Sequence, residues 1–542
     1  MSGSARLPAD NRLSGPAIAR QSVNAANRSW LLWIAWFVVG LLTALPGLAT
    51  RSLHYDEVLE IRQARQPIAS QFALYVGRAV PECDSPPLYH FLLHPILKLS
   101  GVTLFSIRSL AWVAGGLLVP VAFVLLRSLF PSRLATLGTL GFSLSSWRVE
   151  LAQMGRPHGL FLLAAMLSLV SFWGLAAEGS RAMWLVYGLA LLVAVQTSYW
   201  GLLVVLPSHL LATVFYRKGL PYWRRAIAAQ VVAGLTSVYY LGLLLYVYGK
   251  HSASEPGMPR ILAVPLFGRC LALFGAGEFG KLDLVDLPLV AIVTLVVFVV
   301  VIRGALQWRR STGGPARWLG GCVGLWVVLL FLAHFAAASL AAWPMERKFG
   351  LLLVPLLMAF VFGVASIRSL GWRYGAIVLW IAMTGYFALR SMTTDIYGGS
   401  GQVTRILAGR SRPLVVYSNR EKWLDFLLTS GQPTGGVSFR HLPGDGKGGF
   451  DWSAATPDTR SGIVCVCMVR EGGYLKGRLR SIGRGGQPTS PDGKMKSAAR
   501  QLTEKFRAAG WRPAASEYDP GRVSYQTECF ASPVWSRSVA SN

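Results

Sequence analysis

Two adjacent carboxylates, Asp56 and Glu57, follow directly on the first stretch of this chain able to cross a membrane. Residues 30–50 are nearly unbroken apolar sequence, about twenty residues and long enough for a bilayer. A carboxylate can take a proton from an attacking hydroxyl, and ionisable groups at the mouth of a membrane are costly enough to mark a site. An isolated Asp-Glu is equally at home as a solvated loop acid. Four histidines, His54, His90, His94 and His158, fall near the same side of the threaded chain and invite a metal. His90 and His94 have the i, i+4 spacing of helical ligands but lack the flanking Glu of a metalloprotease. A histidine pair satisfied by protein partners is the simpler reading.

The elements that must position these groups are membrane helices. At 542 residues, 53% hydrophobic and 14% charged, with mean hydropathy +0.44, the composition is that of a polytopic α-helical membrane protein. The net charge of +28 does not form one patch. Many basic residues punctuate the gaps between apolar runs, where positive-inside bias and anionic headgroups place them. No nucleic-acid motif accompanies the charge, so nucleic acid is excluded as a partner and membrane lipids are expected.

Arg6, Arg12, Arg20 and Arg28 put residues 1–29 in the cytoplasm as an N-terminal tail, with the first span an uncleaved signal-anchor. Asp56 and Glu57 then emerge outside. Residues 86–101 are short and polar for a span and read as an interfacial or re-entrant helix; residues 261–274 read likewise as interfacial. The remaining spans are residues 104–126, 134–151, 159–177, 184–198, 200–216, 226–248, 287–302, 319–340, 351–366 and 374–390. With the first they make about eleven. This parity leaves the C-terminus outside and brings Asp56, Arg156, Tyr199 and Arg347 to one external surface.

The transmembrane domain is therefore residues 30–391, with an external loop at 51–103, and residues 392–542 form a polar extracytoplasmic region. That region is about 150 residues, enough for its own core. Residues 413–417, 462–469 and 522–530 read as strands, and 421–429 and 496–509 as helices, which together suggest a small α/β domain. Six cysteines are scattered without zinc-site spacing. Cys465 and Cys467 alternate on one strand; a disulfide to Cys529 follows if the region lies outside the cytoplasm, and buried free thiols are the other reading.

Several motifs share that external surface. His54-Tyr55-Asp56-Glu57 follows the first span, Pro86-Pro87-Leu88-Tyr89 opens the short second apolar stretch, and Ala152-Gln153-Met154-Gly155-Arg156-Pro157-His158 follows the third span. Thr197-Ser198-Tyr199 makes a turn, and Glu346-Arg347-Lys348-Phe349 precedes an apolar helix with Pro355. In order and spacing the chain resembles, over roughly residues 30–390, the GT-C-fold glycosyltransferases that use polyprenyl-phosphate sugars. The nearest groups are protein O-mannosyltransferases, the lipid A aminoarabinose transferase and their bacterial relatives. Two departures stand out: Met154 occupies the place of a family acid, and Lys348 that of an aromatic.

The resemblance implies a GT-C-like domain in the bacterial inner (cytoplasmic) membrane, moving a sugar from a polyprenyl-phosphate donor to an extracytoplasmic glycan, lipid or protein acceptor. It implies Asp56 as the base, with Glu57 beside it orienting Asp56, touching sugar or facing solvent. Burial would raise the Asp56 pKa and a cationic neighbour would lower it. Arg156, Arg347 and Lys348 are candidates for the donor phosphate, and snorkelling to headgroups is their other reading. Tyr55, Tyr89, His158 and Tyr199 would line the substrate. No cofactor is fixed, and a divalent metal is compatible. A flippase for lipid-linked glycans and a non-catalytic membrane scaffold are the competing classes; the absence of an internal repeat speaks against the first, and the Asp56 motif series against the second.

Overall fold

A computed structural model describes residues 30–48, 55–76, 85–178, 181–217, 220, 222–243, 270–275, 287–309, 314–338 and 350–393. In the C-terminal region it describes 414–418, 437–441, 463–471, 503–504, 506–508, 512–520 and 523–531. The N-terminal tail, His54, Arg347 and Lys348 lie outside the described residues.

The apolar runs become helices because a bilayer offers backbone N–H and C=O groups no partner but each other. Helix α1 (Trp30–Ala44) is followed by a segment of shorter helices: α2 (Tyr55–Arg65), α3 (Ile68–Tyr75) and α4 (Leu88–Ser100). Then come α5 (Leu104–Leu129), α6 (Ser132–Ser143), α7 (Ser146–Gln153), α8 (His158–Glu178) and α9 (Arg181–Thr197). A π-helical turn, Gly201–Val205, runs into α10 (Leu206–Phe215), followed by α11 (Trp223–Leu235). The last four helices are α12 (Leu287–Arg309), α13 (Gly314–Ala338), α14 (Leu353–Ala365) and α15 (Leu370–Thr393).

The chain is a multi-pass membrane protein. Among the described residues four helices are long and apolar enough to cross a bilayer, namely Leu104–Leu129, His158–Leu175, Trp223–Leu243 and Pro288–Trp308, and five shorter apolar helices accompany them. Helix α12 shows the solvent these helices expect. Ile292, Leu295 and Val299 are 59%, 63% and 57% exposed along one side, while Val290, Val293 and Val297 are buried on the other. Apolar on every face, such a helix is at home only where its outside meets lipid.

One expected span differs. Residues 134–151 are not a continuous helix but α6 and α7, broken at Leu144–Ser145. The serine-rich junction is held by a buried cation: Arg148 donates through NH2 to the Ser143 carbonyl and the Thr43 hydroxyl, both at 2.6 Å. Its NH1 donates to the carbonyls of Gly40 at 3.1 Å and Gly115 at 3.2 Å. One guanidinium thus ties α1, α5 and the α6–α7 break. The helices come this close because side chains are missing where they cross. A Cβ on Gly40 would stand 2.5 Å from the Gly116 carbonyl oxygen, and one on Gly115 2.2 Å from the Ala152 Cβ. Farther along the bundle, Gln230 of α11 donates to the Tyr187 hydroxyl at 2.7 Å and to Thr213 at 3.0 Å, with His209 of α10 at 3.1 Å from the same tyrosine. Buried polar contacts of this kind hold helices together where burial alone gives no preference.

The C-terminal region contributes a five-stranded sheet of order β2-β1-β3-β5-β4. Its strands are β1 (Leu414–Ser418), β2 (Val437–His441), β3 (Ile463–Glu471), β4 (Arg512–Pro520) and β5 (Val523–Ala531). β1 is parallel to β2 and β3; β5 is antiparallel to β3 and β4, and the register sets Cys465 opposite Cys529. Strands β2 and β4 were not expected from sequence. The expected helix at 421–429 lies outside the described residues, and parts of the one at 496–509 are helical.

Candidate active site

Helix α2 carries three carboxylates, Asp56, Glu57 and Glu60: Arg108 meets Glu57, and Arg156 lies against both Asp56 and Glu60. Asp56 and Glu57 sit in the first turn, where the helix N-terminus favours negative charge. Asp56 and Glu60 lie four residues apart on one face; Glu57 is turned toward the bundle.

Glu57 is 2% exposed and fully engaged. Arg108, near the start of α5, donates to it through Nε at 3.0 Å and NH2 at 3.1 Å, a fork-on-fork pair. The backbone N–H of Gly155 donates to the same carboxylate at 2.7 Å. Arg108 also donates through NH1 to the Leu48 carbonyl at 2.9 Å, pinning the chain just past α1. Glu57 therefore does not face solvent. Its position explains the glycine of the Gln153–Arg156 frame: a Cβ on Gly155 would meet Ile107 at 2.7 Å and Glu57 at 3.2 Å. Gln153 completes the junction by donating to the carbonyls of Ala44 and Pro46 at the end of α1.

The backbone then turns tightly, with the Arg156 N–H donating to the Met154 carbonyl at 2.7 Å. Pro157 follows, and its carbonyl accepts the first bond of α8, from the Phe161 N–H. This turn aims Arg156 at α2. Its NH1 donates to Asp56 Oδ2 at 2.6 Å, in a pair that is 18% exposed on the arginine and 23% on the aspartate. The Arg156 Nε lies 3.6 Å from Glu60 Oε1, an ion-pair distance too long for a hydrogen bond.

Glu60 is wholly buried. His90 Nε2 donates to its Oε2 at 2.5 Å and the Ser85 hydroxyl to its Oε1 at 2.8 Å. Behind His90, Nδ1 meets the Tyr75 hydroxyl at 2.5 Å, which also accepts from Gln63 at 2.9 Å. Burial pushes the Glu60 carboxyl up, but His90, Arg156 and Ser85 together outweigh it and hold the pKa below its ordinary value. Tyr89, next to His90 on α4, is buried, and its hydroxyl has no hydrogen-bond partner among the described residues. Burial first, then the charges of Glu60 and Glu57, push that phenol well up against the opposing pull of Arg156.

The structure thus brings together Asp56, Glu57, Arg156 and Tyr89, with Glu60 and Arg108 as members not singled out from sequence and with His90 satisfied by protein partners, as its simpler reading had it. Their signal was present: Glu60 is one turn past Asp56, and Gln63 follows on the same side of a helix that sequence reading treated as loop. His90 and His94 do not converge on a metal. His94 Nδ1 meets the Ala64 carbonyl at 2.8 Å while His90 serves Glu60, and among the described residues no three His, Cys, Asp or Glu side chains could hold an ion. Met154, where the resemblance leads one to expect an acid, is a buried apolar side chain. Tyr199 packs edge-on against Tyr240 at 5.9 Å. His158 opens α8 half-buried, and Tyr55 opens α2 with its side chain outside the described set.

Among solved structures the chain is similar to ArnT from Cupriavidus metallidurans in the apo state, with TM-score 0.52 and 14% identity, covering 92% of this chain and 98% of that one. The same protein bound to undecaprenyl phosphate gives a TM-score of 0.50 at 14% identity, with coverage of 92% and 98%. No protein-family model and no curated protein sequence matches the chain. At this identity the likeness is one of fold, and along nearly its whole length the chain carries the GT-C fold of ArnT.

Proposed function

We propose that this chain is an integral-membrane glycosyltransferase that moves a sugar from a polyprenyl-phosphate donor to an extracytoplasmic acceptor. The carrying observation is the 2.6 Å contact of Asp56 with Arg156, both partly exposed and backed by buried Glu57 and Glu60. A base and a phosphate-binding cation stand in one accessible place. The ArnT-like fold supports the class of chemistry, and the undecaprenyl phosphate in one ArnT structure supports a polyprenyl phosphate as carrier.

In this reading the acceptor hydroxyl attacks the anomeric carbon and its proton passes to Asp56 as the new C–O bond forms. The bond from the anomeric carbon to the phosphate oxygen breaks, and its electron pair leaves on the lipid phosphate. That growing charge needs donors placed in advance, and Arg156 supplies them, with Arg347 and Lys348 assigned the same role from the resemblance. Asp56 cannot accept a proton efficiently while Arg156 neutralises it. The donor phosphate, by taking up the Arg156 terminal nitrogens, frees the base. Glu57, held by Arg108 and Gly155, positions the start of α2. Eleven spans would place this cluster and the C-terminal sheet outside the cytoplasmic membrane.

The test is release of polyprenyl phosphate from a panel of polyprenyl-phosphate sugars by the protein in lipid nanodiscs, with crude membrane acceptors. Release by wild type should fall by at least about a hundredfold in Asp56→Asn, the scale of a lost general base. Release unchanged by the substitution removes Asp56 from the mechanism, and no release with any donor removes the transferase reading.

A further inference from the structure

We infer that Glu60 is a positioning residue that anchors Arg156 from behind, so that the donor phosphate can draw the arginine off Asp56 without losing it from the site. The inference rests on the function proposed above.

The two carboxylates that share Arg156 are built differently. Asp56 is partly exposed and accepts from Arg156 NH1 at 2.6 Å. Glu60 is 0% exposed and immobilised by His90 at 2.5 Å and Ser85 at 2.8 Å. His90 is itself fixed through Tyr75 and Gln63. A chain of three side chains from α2, α3 and α4 (Gln63, Tyr75 and His90) therefore ends on Glu60 Oε2, while Oε1, held by Ser85, lies 3.6 Å from Arg156 Nε. Nothing in the packing of the helices requires a carboxylate there, since a buried ion pair is costly compared with apolar side chains. The arrangement gives the guanidinium two ends: Nε faces a fixed buried charge, and NH1 faces a partly exposed one. An arriving phosphate competes for the accessible end only. Without the rear anchor, Arg156 would be free to close fully onto Asp56, and the phosphate would meet a stronger rival. The depressed pKa of Glu60 is consistent with a carboxylate that stays charged for this purpose.

The experiment measures undecaprenyl phosphate binding to the full chain in nanodiscs, and donor KM and kcat, for wild type, Glu60→Gln, Glu60→Asp, Arg156→Ala and the Glu60→Gln/Arg156→Ala pair. Glu60→Gln should weaken lipid-phosphate binding and raise donor KM by about tenfold, with kcat reduced less, and Glu60→Asp should recover part of the loss. On the Arg156→Ala background Glu60→Gln should add nothing, because residues acting through one another are not additive. A merely structural Glu60 would instead subtract the same factor from both backgrounds, and that result, or wild-type binding in Glu60→Gln, overturns the inference while leaving the transferase reading standing. Should Glu60→Gln not fold, Ser85→Ala loosens the same carboxylate and carries the same cycle. A wild type that neither binds undecaprenyl phosphate nor releases it from any donor overturns both.

Discussion

Arg108 and Glu57 are each 2% exposed, so each is tolerable in the interior only because of the other. Breaking such a pair from one side leaves a bare buried charge, which costs about 3–5 kcal/mol. Arg108→Leu should therefore lower the thermal midpoint of the purified protein far more than Arg108→Leu combined with Glu57→Leu, and equal losses would show that the pair is not what holds α2 to α5. Glu60 gives a pH-dependent counterpart. Its carboxyl is depressed in the fold, so its contribution is fully present above the unfolded value of about 4.3. That contribution is lost as pH falls through the lower folded value. The gap in midpoint between wild type and Glu60→Gln should be widest near neutrality and shrink on acidification below about pH 4; a gap independent of pH would mean the charge is not stabilising. At this scale the sequence was partly legible. Asp56 announced itself by following an apolar span, and Arg156 by its motif. Glu60 did not, nor did its pairing with His90, because a carboxylate on a short polar helix looks solvated until the histidine thirty residues later is seen against it.

The elements around the site are set by where helices can touch. Gly115 lets α7 lie against α5, and α7 ends at the turn that delivers Gly155 and Arg156. Gly115→Val would put side-chain atoms where the Ala152 Cβ already stands. Overpacking of this kind costs about 1–3 kcal/mol, and the shift should also move Arg156 away from Asp56. Activity should fall more steeply than the melting temperature; a variant with wild-type turnover would show that α7 position does not govern the site. Helix positions were legible because apolar runs of span length have few other fates. The α6–α7 break was not, since residues 134–151 read as one apolar stretch and only the packed structure shows Arg148 reaching four acceptors across it. Strand β4 escaped for another reason. Arg512–Pro520 contains two prolines and few β-formers, which an edge strand tolerates and a central one would not.

Over the whole molecule the apolar exterior fixes a membrane protein, and the direction of threading is the remaining element of the proposal. If the C-terminal sheet is extracytoplasmic, an alkaline phosphatase fused after residue 542 should be active and a green fluorescent protein fused there dark; the reverse pattern would invert the topology and put Asp56 on the wrong side for an external acceptor. Composition and charge made the class of molecule plain and the order of the motifs pointed to the fold, which the spatial arrangement bears out by its likeness to ArnT at 14% identity. One feature of that arrangement bears on how the protein is made. Asp56, Glu57, Glu60, His90, Arg108 and Arg156 all lie in the first 156 of 542 residues. They meet one another in the ion pairs Glu57–Arg108 and Asp56–Arg156 and in the Glu60–His90 contact. A ribosome still synthesising the later helices has already delivered every member of the cluster to the membrane, so the site can neutralise itself during insertion, and the N-terminal portion is a unit of biogenesis as well as of chemistry.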